Sequence, residues 1–154
     1  MDPHPDFPNL TPTNHRDTSP VDHRYNCIAW SFGDTEHWWQ PGTYWRPVDW
    51  PVNDYGLGAL ERAFLLAGYE DCAADATLEP GYLKVALYAA SVFLYTHAAR
   101  QLHTGQWTSK LGRSVDIEHD TPEVVAGGVY GEVMQIMKRA VGAPPVLLPS
   151  VSPA

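Results

Sequence analysis

Prolines bracket this chain. Pro3, Pro5, Pro8, Pro12 and Pro20 fall in the first twenty residues among Asn, Asp, Thr and His, and the end, GAPPVLLPSVSPA, has a similar proline content. Such stretches offer little apolar surface to bury and cannot offset the entropy of ordering themselves. The expected organisation is a proline-rich arm or tail over residues 1–20, one folded domain over 21–141, and a proline-rich tail over 142–154. Within that last segment Val146, Leu147 and Leu148 are able to dock on the domain.

A chain of 154 residues suffices for one domain with a real core, and 44% apolar residues can fill it. Eighteen acidic residues against ten basic ones leave a formal charge of -8, and no basic run is denser than Lys138-Arg139. That balance argues against nucleic acid or an anionic membrane as partner, since nothing supplies a positive footprint for phosphates. Cys27 and Cys72 are the two cysteines, too few for a secreted disulfide framework, and MDPHPDFPNL does not read as a signal peptide. The longest apolar run, KVALYAASVFLY, falls short of the roughly 18 residues a membrane span needs. The expectation is a cytoplasmic protein, or one exported by a route without a conventional signal.

Asp22 or Asn26 can cap a helix through Ile28, Ala29 and Phe32, and QPGTYWRPVDWPVNDYG follows as a long aromatic loop. Leu57, Leu60, Phe64 and Ala67 share one face of a second helix, which Gly68 stops. The second half changes character. YLKVALYA, FLYTHAARQL, GQWTSKL and finally YGEVMQIMKR read as strands, and Thr121-Pro122-Glu123 opens a short helical turn. Helices first and antiparallel strands second describe an α+β domain.

A cysteine at a helix start sits where unpaired backbone N–H groups favour a thiolate, and a histidine on a strand can take its proton. Cys27 and His97 occur in that order, followed by Asp116 and, as an alternative third member, His119. This arrangement is similar to the papain-like cysteine peptidase superfamily in its broad sense. The segments NCIAWSFGD, EPGYLKVALYA, THAARQL, GQWTSKLG and DIEH also resemble a group of uncharacterised bacterial proteins associated with that fold and with toxin and effector systems. The resemblance covers about residues 25 to 139. It implies N-terminal helices packed on a C-terminal antiparallel sheet, Cys27 as nucleophile, His97 as general base, and a thiol-dependent amide hydrolase or acyltransferase, a cysteine peptidase foremost, acting on a peptide or protein substrate. Asn26 is then a candidate oxyanion donor, and Trp38, Trp39 and Trp45 a candidate groove wall. No cofactor is implied.

Each of these residues also has a plainer role. A lone cysteine beside Ile28 and Trp30 fills a core as a small hydrophobe, a strand histidine can be held by structural hydrogen bonds, and Asn26 can simply cap its helix. Cys27, His97, His103, His119 and Cys72 match no metal-ligand spacing, so no metal is expected. The rival to the enzyme is a non-catalytic protein-binding module or effector, with the aromatic loop or the proline-rich arm as its contact surface.

Overall fold

The computed structural model describes residues 6–20, 27–31, 46–47, 55–111, 115–141 and 150–151. The elements run β1 (His15–Asp17), α1 (Cys27–Ser31), β2 (Arg46–Pro47), α2 (Leu57–Leu66), β3 (Glu70–Asp71), β4 (Tyr82–Ser91), β5 (Leu94–Gln101), β6 (Trp107–Lys110), β7 (Asp116–His119), a 3-10 turn (Pro122–Val125), β8 (Glu132–Ala140) and β9 (Ser150–Val151). Seven strands form one antiparallel sheet in the order β1-β7-β6-β5-β4-β8-β3, and β2 pairs with β9.

In the interior of the sheet, between β5 and β8, lies β4, whose Lys84 to Ala89 are all buried. A strand alternates its side chains between two faces, so an unbroken buried run requires cover on both. On one face Val85 and Leu87 join Ala98 of β5 and Met137 of β8 beneath Cys27, Ile28, Leu60, Ala63 and Phe64 of the helices. On the other, Ala86 and Tyr88 join Ala99, Trp107, Ile117 and Ile136 beneath Val124 and Val125 of the 3-10 turn. Buried Lys84 is not left without partners: its Nζ donates to the Asp75 carbonyl at 2.9 Å and lies 3.4 Å from the Asp75 carboxylate.

The proline-rich arm contributes to this second layer. Phe7 meets Tyr130 edge to face with ring centroids 5.3 Å apart, and Tyr88 lies 6.5 Å beyond it. Asn9 donates to the carbonyls of Glu123 and Ala126. A Cβ on Gly128 would fall 2.1 Å from the Asp6 carbonyl oxygen, so the strap can lie this close only over a glycine. Beyond the strap, β1 pairs with β7 in the register His15 to His119.

The expected fold class is therefore overturned. A papain-like domain separates N-terminal helices from a C-terminal sheet, whereas here β1 precedes both helices, and β3 follows α2 directly into the same sheet. The described part of the first helix spans five residues. Among the described residues the sheet dominates, with α2 the longest helix, because β4 and its neighbours carry apolar residues for two faces.

The expected α2 does form. Ala59, Leu60, Ala63 and Phe64 are its buried face. Gly68, at φ 95°, ends it: the Gly68 N–H donates to the Leu65 carbonyl at 3.0 Å and the Tyr69 N–H to the Phe64 carbonyl at 2.9 Å. That pair of bonds is a Schellman motif, and its positive φ penalises any side chain. Gly68→Ala should lower the unfolding free energy by about 1 kcal/mol in urea titrations, without changing the slope with denaturant.

Candidate functional site

Cys27 is 8% exposed, packed among Val85, Leu87, Ala98 and Phe64. Its thiol points at the Thr96 carbonyl, 4.0 Å away. Burial pushes the thiol up to about 11, against smaller lowering contributions from backbone hydrogen bonds and Lys110. Desolvation, the largest contribution, outweighs them.

His97 sits on the other side of the sheet. It is next to Ala98 on β5, and successive strand residues face opposite ways. Ala98 opposes Leu87 beneath Cys27, whereas His97 opposes Tyr88. The imidazole is accordingly found 4.9 Å from the Tyr88 ring centroid and stacked on Tyr130 at 4.0 Å, with 6° between the planes. Among the described residues no hydrogen bond joins Cys27 to a histidine; the strand's own backbone stands between them.

Asp116 divides the expected constellation further. It opposes Lys110 in register, and the same face carries Thr108, which accepts from Trp30 Nε1 at 3.1 Å, and Arg100, whose guanidinium lies 4.6 Å from the Trp30 ring. This is the α1 face. Asp116 thus shares a side with Cys27 and not with the histidine it was expected to orient. Asn26, Trp38, Trp39 and Trp45 lie outside the described residues.

The structure does bring His97 and His119 together, through a residue that the sequence did not single out. His97 Nε2 lies 2.9 Å from Ser109 Oγ, and Ser109 Oγ lies 2.7 Å from His119 Nε2. His119 Nδ1 is 2.8 Å from the Thr121 carbonyl. A carbonyl only accepts, so with both imidazoles held neutral by burial every proton in the chain is placed. His119 donates from Nδ1 and accepts at Nε2 from the Ser109 hydroxyl, and Ser109 accepts in turn from His97 Nε2. His97 Nδ1 is left as a bare lone pair, buried and without a hydrogen-bond partner among the described residues. Ser109, His97 and His119 are each fully buried. A serine between two imidazoles is chemically suggestive, yet the rung is closed to solvent. The rung ties β5, β6 and β7 to the segment after His119 and supplies polar partners inside an apolar layer.

Ser109 left one trace in the sequence. In the β6–β7 hairpin it stands two residues after Trp107, which opposes His119, so the short alternation of WTSK and DIEH puts it on the histidine face once the register is known. Elsewhere Cys72 donates to the Asp75 carbonyl at 3.8 Å, and both cysteines are free. Among the described residues there is no group of three or more potential ligands able to hold a metal. Among them, too, no helix is long and apolar enough to cross a membrane.

A family model described as a domain of unknown function, DUF7689, matches residues 16–138. The chain belongs to that family. No curated protein and no solved structure shows detectable similarity to it. The likeness to papain-like peptidases rested on residue order, and this DUF7689 domain overturns it: the thiol and the imidazole occupy opposite faces of one sheet. Thiol-dependent amide hydrolysis or acyl transfer through Cys27 and His97, and with it the cysteine-peptidase assignment, has no geometric basis here.

Two measurements follow from the DUF7689 core. Iodoacetamide should modify Cys72 first and reach Cys27 only as the protein unfolds, as read by intact mass across a urea series. Burial holds His97 well below the ordinary imidazole value and His119 at about 4. The unfolded chain therefore takes up these protons first, so stability is complete above about pH 6.5 and is lost as pH falls toward 4. His119 alone accounts for a loss on the order of 3 kcal/mol over that window. The pH slope of unfolding should be shallower in His119→Gln than in the wild type; equal slopes would show that His119 is not buried neutral.

Proposed function

We propose that this domain is a non-catalytic protein-binding module, and that its contact surface is the tip of the β4–β5 hairpin. One observation carries the reading. Val92, Phe93 and Leu94 are consecutive at that tip and are 56%, 83% and 48% exposed. Single exposed apolar residues are ordinary on a protein surface, but three large ones at one projecting turn, with an aromatic at the apex, form a patch suited to a partner.

The tip is also held in place. Leu57 N–H at the start of α2 donates to the Val92 carbonyl at 3.0 Å, Tyr95 N–H donates to the Tyr55 carbonyl at 2.7 Å, and the Phe93 N–H donates to Ser91 Oγ at 3.2 Å. Tyr55 stacks on Tyr95 just below it. A preordered apolar projection loses little entropy on binding, and that favours recognition. The segment from Val85 to Ala99 contains no Asp, Glu, Lys or Arg, so the tip suits an apolar pocket on a protein better than a charged polymer or an anionic lipid surface. Two free thiols support a reducing compartment such as the cytoplasm for the encounter.

The test is photo-crosslinking in producing cells with the photoreactive residue at position 93, compared with position 104 in the exposed β5–β6 turn. A discrete adduct from position 93 alone is expected. Phe93→Ser should then weaken capture of the crosslinked partner by roughly thirtyfold, about 2 kcal/mol, with an unchanged melting temperature, whereas Cys27→Ser should leave capture intact. Equal crosslinking from both positions would remove the tip as the contact surface.

A further inference from the structure

Where the chain enters β4 and leaves β5, at the end of the hairpin away from Phe93, a groove of about 420 Å³ opens between apolar walls. Leu78, Pro80, Tyr82, Leu83, Leu102 and Val141 line it, together with Glu79, Gln101 and His103. Leu78, Leu83 and Val141 are 49%, 41% and 57% exposed, so aliphatic side chains stand uncovered around it. Its walls are fastened. Tyr82 N–H donates to the Glu79 carbonyl at 3.1 Å, Val141 N–H to the Gly81 carbonyl at 2.8 Å, and Leu102 N–H to the Gln106 carbonyl at 2.7 Å. A concave apolar site held in shape before a ligand arrives loses little entropy on filling.

Gln101 gives the groove its polar point. Among the described lining residues it alone is buried, 7% exposed, on the strand end opposite Trp107. Its Nε2 donates to the Ala76 carbonyl at 3.2 Å, and because a carbonyl only accepts, the amide cannot turn over without setting oxygen against oxygen. Oε1 is thereby fixed as an acceptor, and it is buried with no hydrogen-bond partner among the described residues. A buried acceptor left unpaired is unfavourable, so a group that brings it a donor gains more than it would from an oxygen already paired. The Glu79 carboxylate, by contrast, is engaged: it lies 2.9 Å from Lys138 Nζ and 3.8 Å from Lys84 Nζ. The Lys138 ammonium in turn sits 4.4 Å from the Tyr82 ring centroid.

We infer that this groove binds a small uncharged molecule with an apolar body and an N–H or O–H donor, the body lying against the aliphatic walls and the donor bonding to Gln101 Oε1. The site is separate from the Phe93 tip and does not depend on the reading of that tip. Charge narrows the ligand class. An anion would bring like charge to Glu79 and an acceptor to Gln101, on a chain whose net charge is already -8. A cation would find the Glu79 carboxylate held by two lysines. Size narrows the class further. About 150 Å³ suffices to hold a benzene ring, so the groove has room for a fused pair of rings with a short substituent. The acceptor is buried, and only a group small enough to enter the groove reaches it.

Indole and indene test the assignment by amide chemical-shift titration of the full chain. The two share a shape and differ in the single N–H. Indole should shift residues 78–83, 101–103 and 141 with a Kd on the order of 1 mM, and indene should shift the same residues with an affinity about tenfold weaker. Gln101→Met, which keeps the side-chain length and removes the acceptor, should bind the two alike, and Leu78→Glu at the rim should weaken both. The anion of indoleacetic acid should bind more weakly than indole. Equal affinity of the wild type for indole and indene, a preference for indole that survives in Gln101→Met, tighter binding of the anion, or shifts that bypass the groove would each overturn the assignment. The wild-type comparison decides the matter even if Gln101→Met fails to fold.

Discussion

Burial of β4 on both faces is the constraint on which the rest of the molecule depends. Its six consecutive buried residues require two layers of cover, and different parts of the chain supply them: α1 and α2 on one side, the strap from Asp6 to Leu10 with the 3-10 turn and Tyr130 on the other. An interior position in the sheet follows from the same fact. β4 pairs along nearly its whole length with β5 and β8, so the two cores share one hydrogen-bonded floor. Loss of either cover would expose apolar surface on a strand that has no polar side to present.

Alternation along β5 determines the chemistry more than residue type does. Ala98 and His97 are neighbours in sequence, yet one belongs to the thiol's layer and the other to the histidine rung. Cysteine, histidine and aspartate are all present and nearly all buried, in an order compatible with a nucleophile, a base and an orienting acid. One peptide unit of register keeps them apart. His97, Ser109 and His119 instead bond to one another within their own layer, and burial holds the thiol protonated and the imidazoles neutral.

Much of the secondary structure was legible. The helix from Leu57, its stop at Gly68, the strands YLKVALYA and FLYTHAARQL, the turn after Leu102 and the proline-opened turn at Pro122 all carry strong local signals, and each is present. What escaped was nonlocal. His15 to Asp17 shows no strand pattern, and it is a strand because β7 offers a partner; Phe7 looks like an isolated aromatic until Tyr130 and Gly128 are placed beneath the strap. Ser109 gains its position from the register of β6 against β7. The facing of Cys27 and His97 likewise depends on which layer α1 covers, a fact of packing that residue order does not contain.

The margins of the sheet are short and charged. β1 offers three residues, His-Arg-Asp, with Arg16 held to Glu118 of the adjoining strand at 2.6 Å, and β3 offers two, Glu-Asp. Margins so brief and polar give another chain almost nothing to add a strand to, and that blocks the commonest path by which a mostly β protein runs into amyloid-like ribbons. A fold with two apolar layers around one sheet thus restricts growth across its strands and leaves their ends as the place where apolar surface meets the outside.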